Sequence, residues 1–194
     1  MASKRRIFTT TAALLILLVL LFLLSLVTGS VSLSFDEVWD AFFGSQTFPK
    51  NELIVLQLRL PRALSAVFLG GALSVSGFLL QTFFRNPIAG PYILGVSSGA
   101  KLLVAMLMIC SVRLGFYYNS WAMILAALLG ALGSLLIVLF LSSKVEGMAA
   151  LIVCGIMIGY VCSAATELLV AFAQDSQIAN LHNWSMGSFS GITP

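Results

Sequence analysis

The stretch "RNPIAGPYILGVSSGA", Arg85 to Ala100, separates two long apolar runs with an arginine, an asparagine, two prolines, three glycines and two serines. Asn86-Pro87 forbids continuation of a helix, because proline lacks the N–H and crowds the residue before it. Gly90-Pro91 adds a second bend. Gly95-Val-Ser-Ser-Gly99 then starts the return with so little side chain that another backbone can come close. A helix therefore ends, the chain reverses, and a bare-faced helix comes back. On the residues alone, Asn86, Pro87, Gly95, Ser97, Ser98 and Gly99 suit either of two roles. One is a close-packed helical hairpin; the other is a wall of a permeation pathway, where broken, glycine-rich helices lie.

The solvent around that hairpin follows from composition. Hydrophobic residues make up 60% of the 194 and charged residues only 9%, against about a quarter charged in a soluble domain. The mean hydropathy is +1.06. A helix crossing the hydrocarbon needs about 20 apolar residues, and five runs reach that length. The fold class read here is an all-α polytopic membrane protein with five transmembrane helices, at about 7–28, 62–84, 92–112, 116–141 and 148–173. Residues 1–194 form one transmembrane domain part. Pro61 suits the first helical position of the second span.

Between the first two spans, Ser34 and Glu37 occupy capping-box positions. Phe35, Val38, Trp39, Phe42 and Phe43 follow helical spacing after them. This predicts a short external amphipathic helix at about 34–43, lying on the membrane surface with its aromatic side down. Lys4, Arg5 and Arg6 place the N-terminus in the cytoplasm and, with five spans, the polar tail after Ala173 outside.

Every span after the first carries a small-xxx-small series: Ala66, Gly70 and Ser74; Gly95 and Gly99; Ala126, Gly130 and Ser134; Gly155, Gly159 and Ser163. Lipid is as apolar as leucine, so such faces let helices associate by close packing. Lys101 and Glu167 lie near span ends, where they can reach the interface or pair with a helix. Gln81 reads as an interhelical hydrogen bonder. Cys110, Cys154 and Cys162 sit in apolar runs without metal-ligand spacing. His182 stands without acidic or cysteine partners. No catalytic or metal constellation and no cofactor motif is found, so the expectation is a protein that is not an enzyme. The net charge of +3 gives no basic patch for nucleic acid.

The segment "LRLPRALSAVFLGGALSVSGFLLQTFFRNPIAGPYILGVSSGAK", with "WSMGSFSG" near the end, closely resembles the permease subunits of bacterial iron–siderophore, haem and vitamin B12 ABC importers. The resemblance runs from about Leu58 to the end. It implies the N-terminal half of a ten-helix permease in the bacterial cytoplasmic membrane, ending before the sixth span. Its implied partners are a second permease subunit, cytoplasmic ATPase subunits that hydrolyse ATP, an extracytoplasmic substrate-binding protein and membrane lipid. The implied cargo is an iron–siderophore complex, with cobalamin or haem as the alternative. A truncated fragment without transport activity is the rival reading. The resemblance also places binding-protein docking at Arg59 and Arg62, and an inner gate region at Ser143, Lys144, Val145, Glu146, Gly147 and Met148.

Overall fold

The computed structural model describes residues 2–43, 49–87, 90 and 94–189, and every regular element among them is helical. Residues 88, 89 and 91–93 of the connector, and the last two residues of "WSMGSFSG", lie outside the described residues. Among the described residues, five helices are long and apolar enough to cross a membrane: Lys4–Val27, Lys50–Phe84, Val96–Leu114, Ser120–Ser142 and Met148–Val170. The chain divides into two compact units, Met1–Gly71 with Phe189–Pro194, and Ala72–Ser188.

The first unit contains α1 (Ala2–Val27), α2 (Phe35–Phe43), α3 (Pro49–Leu53), a π-helical segment Ile54–Arg59 and the opening turns of α4 (Leu60–Phe84). Helix α1 is leucine-rich all round and almost wholly exposed. Its last turn joins a small core in which Leu26, Leu33, Val38, Ala41, Val55 and Ala63 are buried together. Helix α2 starts with the reciprocal cap that Ser34-x-x-Glu37 predicts. The Ser34 N–H donates to Glu37 Oε2 at 2.7 Å and the Glu37 N–H to Ser34 Oγ at 3.2 Å. The Ser34 backbone donor holds the Glu37 carboxyl below its ordinary pKa, helped by the Ser34 hydroxyl and Asn51 against partial desolvation. The expected aromatic stripe splits. Val38 and Ala41 form the buried side, while Phe35, Trp39 and Phe43 are exposed, with Trp39 and Phe43 rings 4.4 Å apart.

The second span departs from expectation at its start. Pro61 is not the first helical residue, because helix already runs from Pro49 through the π-helical segment into α4. A proline inside an α-helix removes one hydrogen bond and presses its ring on the carbonyl four residues back, here that of Gln57. The wide turn immediately before it relieves this: the Leu60 N–H bonds to Val55 O, five residues back. Proline is a usual cause of local distortion in long helices.

The second unit is built around α5 (Val96–Leu114), against which α6 (Ser120–Ser142), α7 (Met148–Val170) and α8 (Asp175–Met186) pack. Cap chemistry sets the boundaries. Gly95 and Gly115, with φ of 68° and 69°, bracket α5, so Gly95 cannot lie inside the helix as the expected 92–112 span would have it. Asn119 caps α6 by accepting from the Ala122 N–H at 2.9 Å, which moves the expected start at 116 to Ser120. Helix α7 stops at Val170. Beyond it, where a polar tail is expected, stands α8. Its Leu181 is buried with Val104, Ala105 and Met108 of α5.

Candidate functional site

The small-residue series of the last three spans meet one another. A Cβ on Gly99 would lie 2.5 Å from Gly130 O and 2.7 Å from Ser134 Oγ. A Cβ on Gly95 would lie 2.9 Å from Gly159 N and 3.0 Å from Gly155 O. The Ser163 hydroxyl approaches that of Ser98 at 3.4 Å. Gly95 and Gly99 are thus filled by neighbouring backbone, which is the close-packed reading of this stretch. On α4 the series behaves differently, since a Cβ at Gly70, Gly71 or Gly77 would meet nothing within 4 Å.

The turn after α4 is tied locally. Arg85 takes a left-handed φ of 47°, and the Asn86 N–H reaches back to Gln81 O at 3.1 Å while the Arg85 N–H meets Thr82 O at 3.3 Å. This is a Schellman closure with arginine in the position glycine usually holds. Gln81 is not an interhelical bonder: its Nε2 donates to Pro87 O at 3.0 Å, pinning the chain reversal.

The six residues expected at the gate form the short turn between α6 and α7. The Ser143 hydroxyl donates to Phe140 O at 2.8 Å, the Lys144 N–H to Leu141 O at 2.9 Å, and Lys144 Nζ sits 4.9 Å from the Phe140 ring centroid. Gly147, at φ 89°, leads into Met148 at the start of α7. Val145 and Glu146 lie between, the latter exposed. A turn this tight couples the ends of two spans.

Arg59 and Arg62 are brought together on a third feature that sequence reasoning missed. Arg59 Nη1 donates to Leu26 O at 2.6 Å and to Val27 O at 2.7 Å, and its Nη2 donates to Val31 O. The guanidinium therefore closes the C-terminus of α1, where unsatisfied carbonyls and the helix dipole favour a cation. Gly29 makes room for it, since a Cβ there would lie 2.9 Å from Arg59 Nη2. Both arginines line a cavity of about 720 Å³ with α1 and the start of α4. The only advance signal was two arginines one helical turn apart, close in sequence to a helix terminus.

Gln177 is the other residue the sequence reading passed over. Its Nε2 donates to the buried Met108 O at 3.1 Å, and its Oε1 accepts from the Gln174 N–H at 2.8 Å. One amide side chain thereby caps α8 and fastens it to α5. Among the described residues no group of three or more His, Cys, Asp or Glu is placed to hold a metal ion.

The chain is similar to proteins of a known family. The description "FecCD transport family" belongs to a family model that matches residues 17–194. The vitamin B12 import system permease protein BtuC of Shigella boydii serotype 18 is 36% identical over 171 residues, covering 88% of this chain and 51% of that protein. The protein of the same name from Escherichia coli O127:H6 gives the same values. A solved structure of a metal-chelate type ABC transporter, in an inward-facing conformation, superposes with a TM-score of 0.78 at 30% identity. It covers 95% of this chain and 55% of that one. The chain spans about half the length of the curated relatives it matches. With that family model matching residues 17–194, this polytopic helical chain belongs to the FecCD transport family.

Proposed function

We propose that this chain supplies the N-terminal half of a transmembrane permease subunit of an ATP-driven importer in the bacterial cytoplasmic membrane. The observation that carries it is the α5–α6–α7 packing through Gly95, Gly99, Gly130 and Gly159, within a five-span chain whose fold recurs in an ABC transporter. The glycine contacts pack these three helices backbone to backbone into one body. The short turn at Ser143–Met148 joins two of them, and it suits an inner gate because a displacement of that body would move the turn with it. Asn86 and Pro87 end the preceding span, and Ser97 and Ser98 accompany the glycines on the returning helix.

The cargo proposed is a large metal chelate. An iron–siderophore complex is the reading carried from the sequence; cobalamin is favoured by the names of the relatives. The proposed partners are a second permease copy, cytoplasmic ATPase subunits that carry out the hydrolysis, and an extracytoplasmic binding protein. Arg59 is already committed to three carbonyl oxygens, so an acidic docking partner is one of two rival uses of the Arg59–Arg62 pair. Because the chain spans half the length of its relatives, a second reading is a fragment inactive by itself.

The test is uptake in a strain lacking its own chelate permeases, supplied with the ATPase and binding protein. A permease carrying this half should take up labelled cobalamin or a labelled ferric siderophore in an ATP-dependent way. The 194-residue chain alone should not. Failure of the complete permease with both cargoes would sink the transport reading.

A further inference from the structure

The cavity at Arg59 and Arg62 has an uneven chemistry. Its walls are Leu18, Leu21 and Phe22 of α1 facing Ala66 and Val67 of α4. Its mouth is Thr28, Gly29, Ser30 and the two arginines. No carboxylate stands among the residues that line it. From Ser25 down to Leu18 the apolar wall is roughly 10 Å deep at 1.5 Å per residue. A volume of about 720 Å³ falls in the range of sites that hold small amphipathic ligands. The chemistry asked for is one apolar tail with an anionic head.

We propose that this cavity binds one anionic phospholipid of the surrounding bilayer, with its phosphate on Arg62 in the positive field of the carbonyl-bound Arg59 and an acyl chain against the α1–α4 wall. Both walls belong to helices long and apolar enough to cross a membrane, so the groove opens where acyl chains are. The wall confers no selectivity, because a lipid tail gains nothing by leaving other tails for leucine. Selectivity comes from the mouth. Guanidinium matches phosphate in charge and fork geometry, and the nearby Ser30 hydroxyl extends the donor set. An acidic docking protein suits the same charges, but it has no use for the apolar wall continuous with them. That continuity favours lipid. The inference does not depend on the transport reading.

The experiment is native mass spectrometry of the purified chain exposed in detergent to equal amounts of phosphatidylglycerol and phosphatidylcholine. Retention should favour phosphatidylglycerol by roughly tenfold, and Arg62→Gln should lower that preference about fivefold, as loss of one cation near an anionic headgroup implies. Arg62→Lys should keep most of it, which separates charge loss from misfolding. Ala66→Phe, which fills the wall without touching the charges, should lower retention of both lipids. Equal retention of the two lipids by the unaltered chain would overturn the proposal. An Arg62→Gln variant that keeps the full lipid preference, while losing association with an acidic extracytoplasmic protein, would overturn it too and assign the arginine to docking.

Discussion

Gly130→Ala tests the central packing most directly, because its neighbour on the same helix supplies the control. The new Cβ would stand 2.7 Å from Gly99 C and 3.0 Å from Ala100 Cα, where ordinary contact begins at 3.4 Å, and it would meet Gly99 O more closely still. All three obstacles are backbone, so no side-chain rotation relieves them and α5 must move off α6. Gly133→Ala adds the same methyl to the same helix with nothing within 4 Å. Both substitutions gain about 1 kcal/mol of helix propensity. Gly130→Ala also incurs an overpacking cost of about 1–3 kcal/mol, so the two variants should differ by roughly that amount. Reversible unfolding in mixed micelles, with sodium dodecyl sulfate as the denaturant, reads the difference. Gly133→Ala should be neutral or stabilised and Gly130→Ala destabilised. Equal midpoints would refute the backbone contact between α5 and α6.

Gly95→Ala, at the residue that precedes α5, should also destabilise the fold. It adds about 1–2 kcal/mol for a left-handed backbone to a clash with Gly159 N at 2.9 Å, read in the same titration. Gln177→Ala removes the amide donor from Met108 O, which keeps the Ser111 hydroxyl at 2.8 Å; it should cost about 0.5–1.5 kcal/mol and appear as faster hydrogen exchange in α8. For Glu37 the folded pKa is depressed, so the stability its cap gives α2 is present above the ordinary carboxylate pKa and lost as pH falls through the lowered one. Trp39 emission should shift over that acidic range, in a background without the other tryptophans, and Glu37→Gln should flatten the response. For topology, Ser188→Cys in a background without native cysteines should label from outside intact cells; labelling only after permeabilisation would reverse the orientation assigned from Lys4-Arg5-Arg6.

The helical membrane architecture was legible because its causes are local. Twenty apolar residues, Asn86-Pro87 and the glycines at 95 and 99 each constrain the chain without needing a partner. Helix ends were less legible: Asn119 and Gly115 act through hydrogen bonds one turn away, and apolarity alone runs past them. Helix α8 was missed because its apolar residues, Ile178, Leu181 and Trp184, are diluted by polar ones, and only Leu181 is buried against α5. Pro61 misled because the rule placing proline at a helix start fits Pro49 instead, which opens α3. Of the candidate site, Gly99 and Gly130 could be named as packing residues from spacing, but not that they would meet each other. The Arg59 bonds to Leu26, Val27 and Val31 join residues 28–33 positions apart, and no periodicity announces such a pairing.

The π-helical turn at Ile54–Arg59 also bears on how this chain tolerates changes of length. A wide turn carries one residue more than the α pitch requires, so deleting one residue there would let the hydrogen bonds close four back instead of five. Everything beyond Leu60 would keep its bearing, and Pro61 would be left to bend the helix unaided. The same deletion within α5, between Gly99 and Met108, would swing every later residue by roughly 100° about the axis. Met108 and Gly99 could then no longer face Leu181 and Gly130 at once. One span of this protein has slack built in at a known place, while the glycine-locked α5 has none.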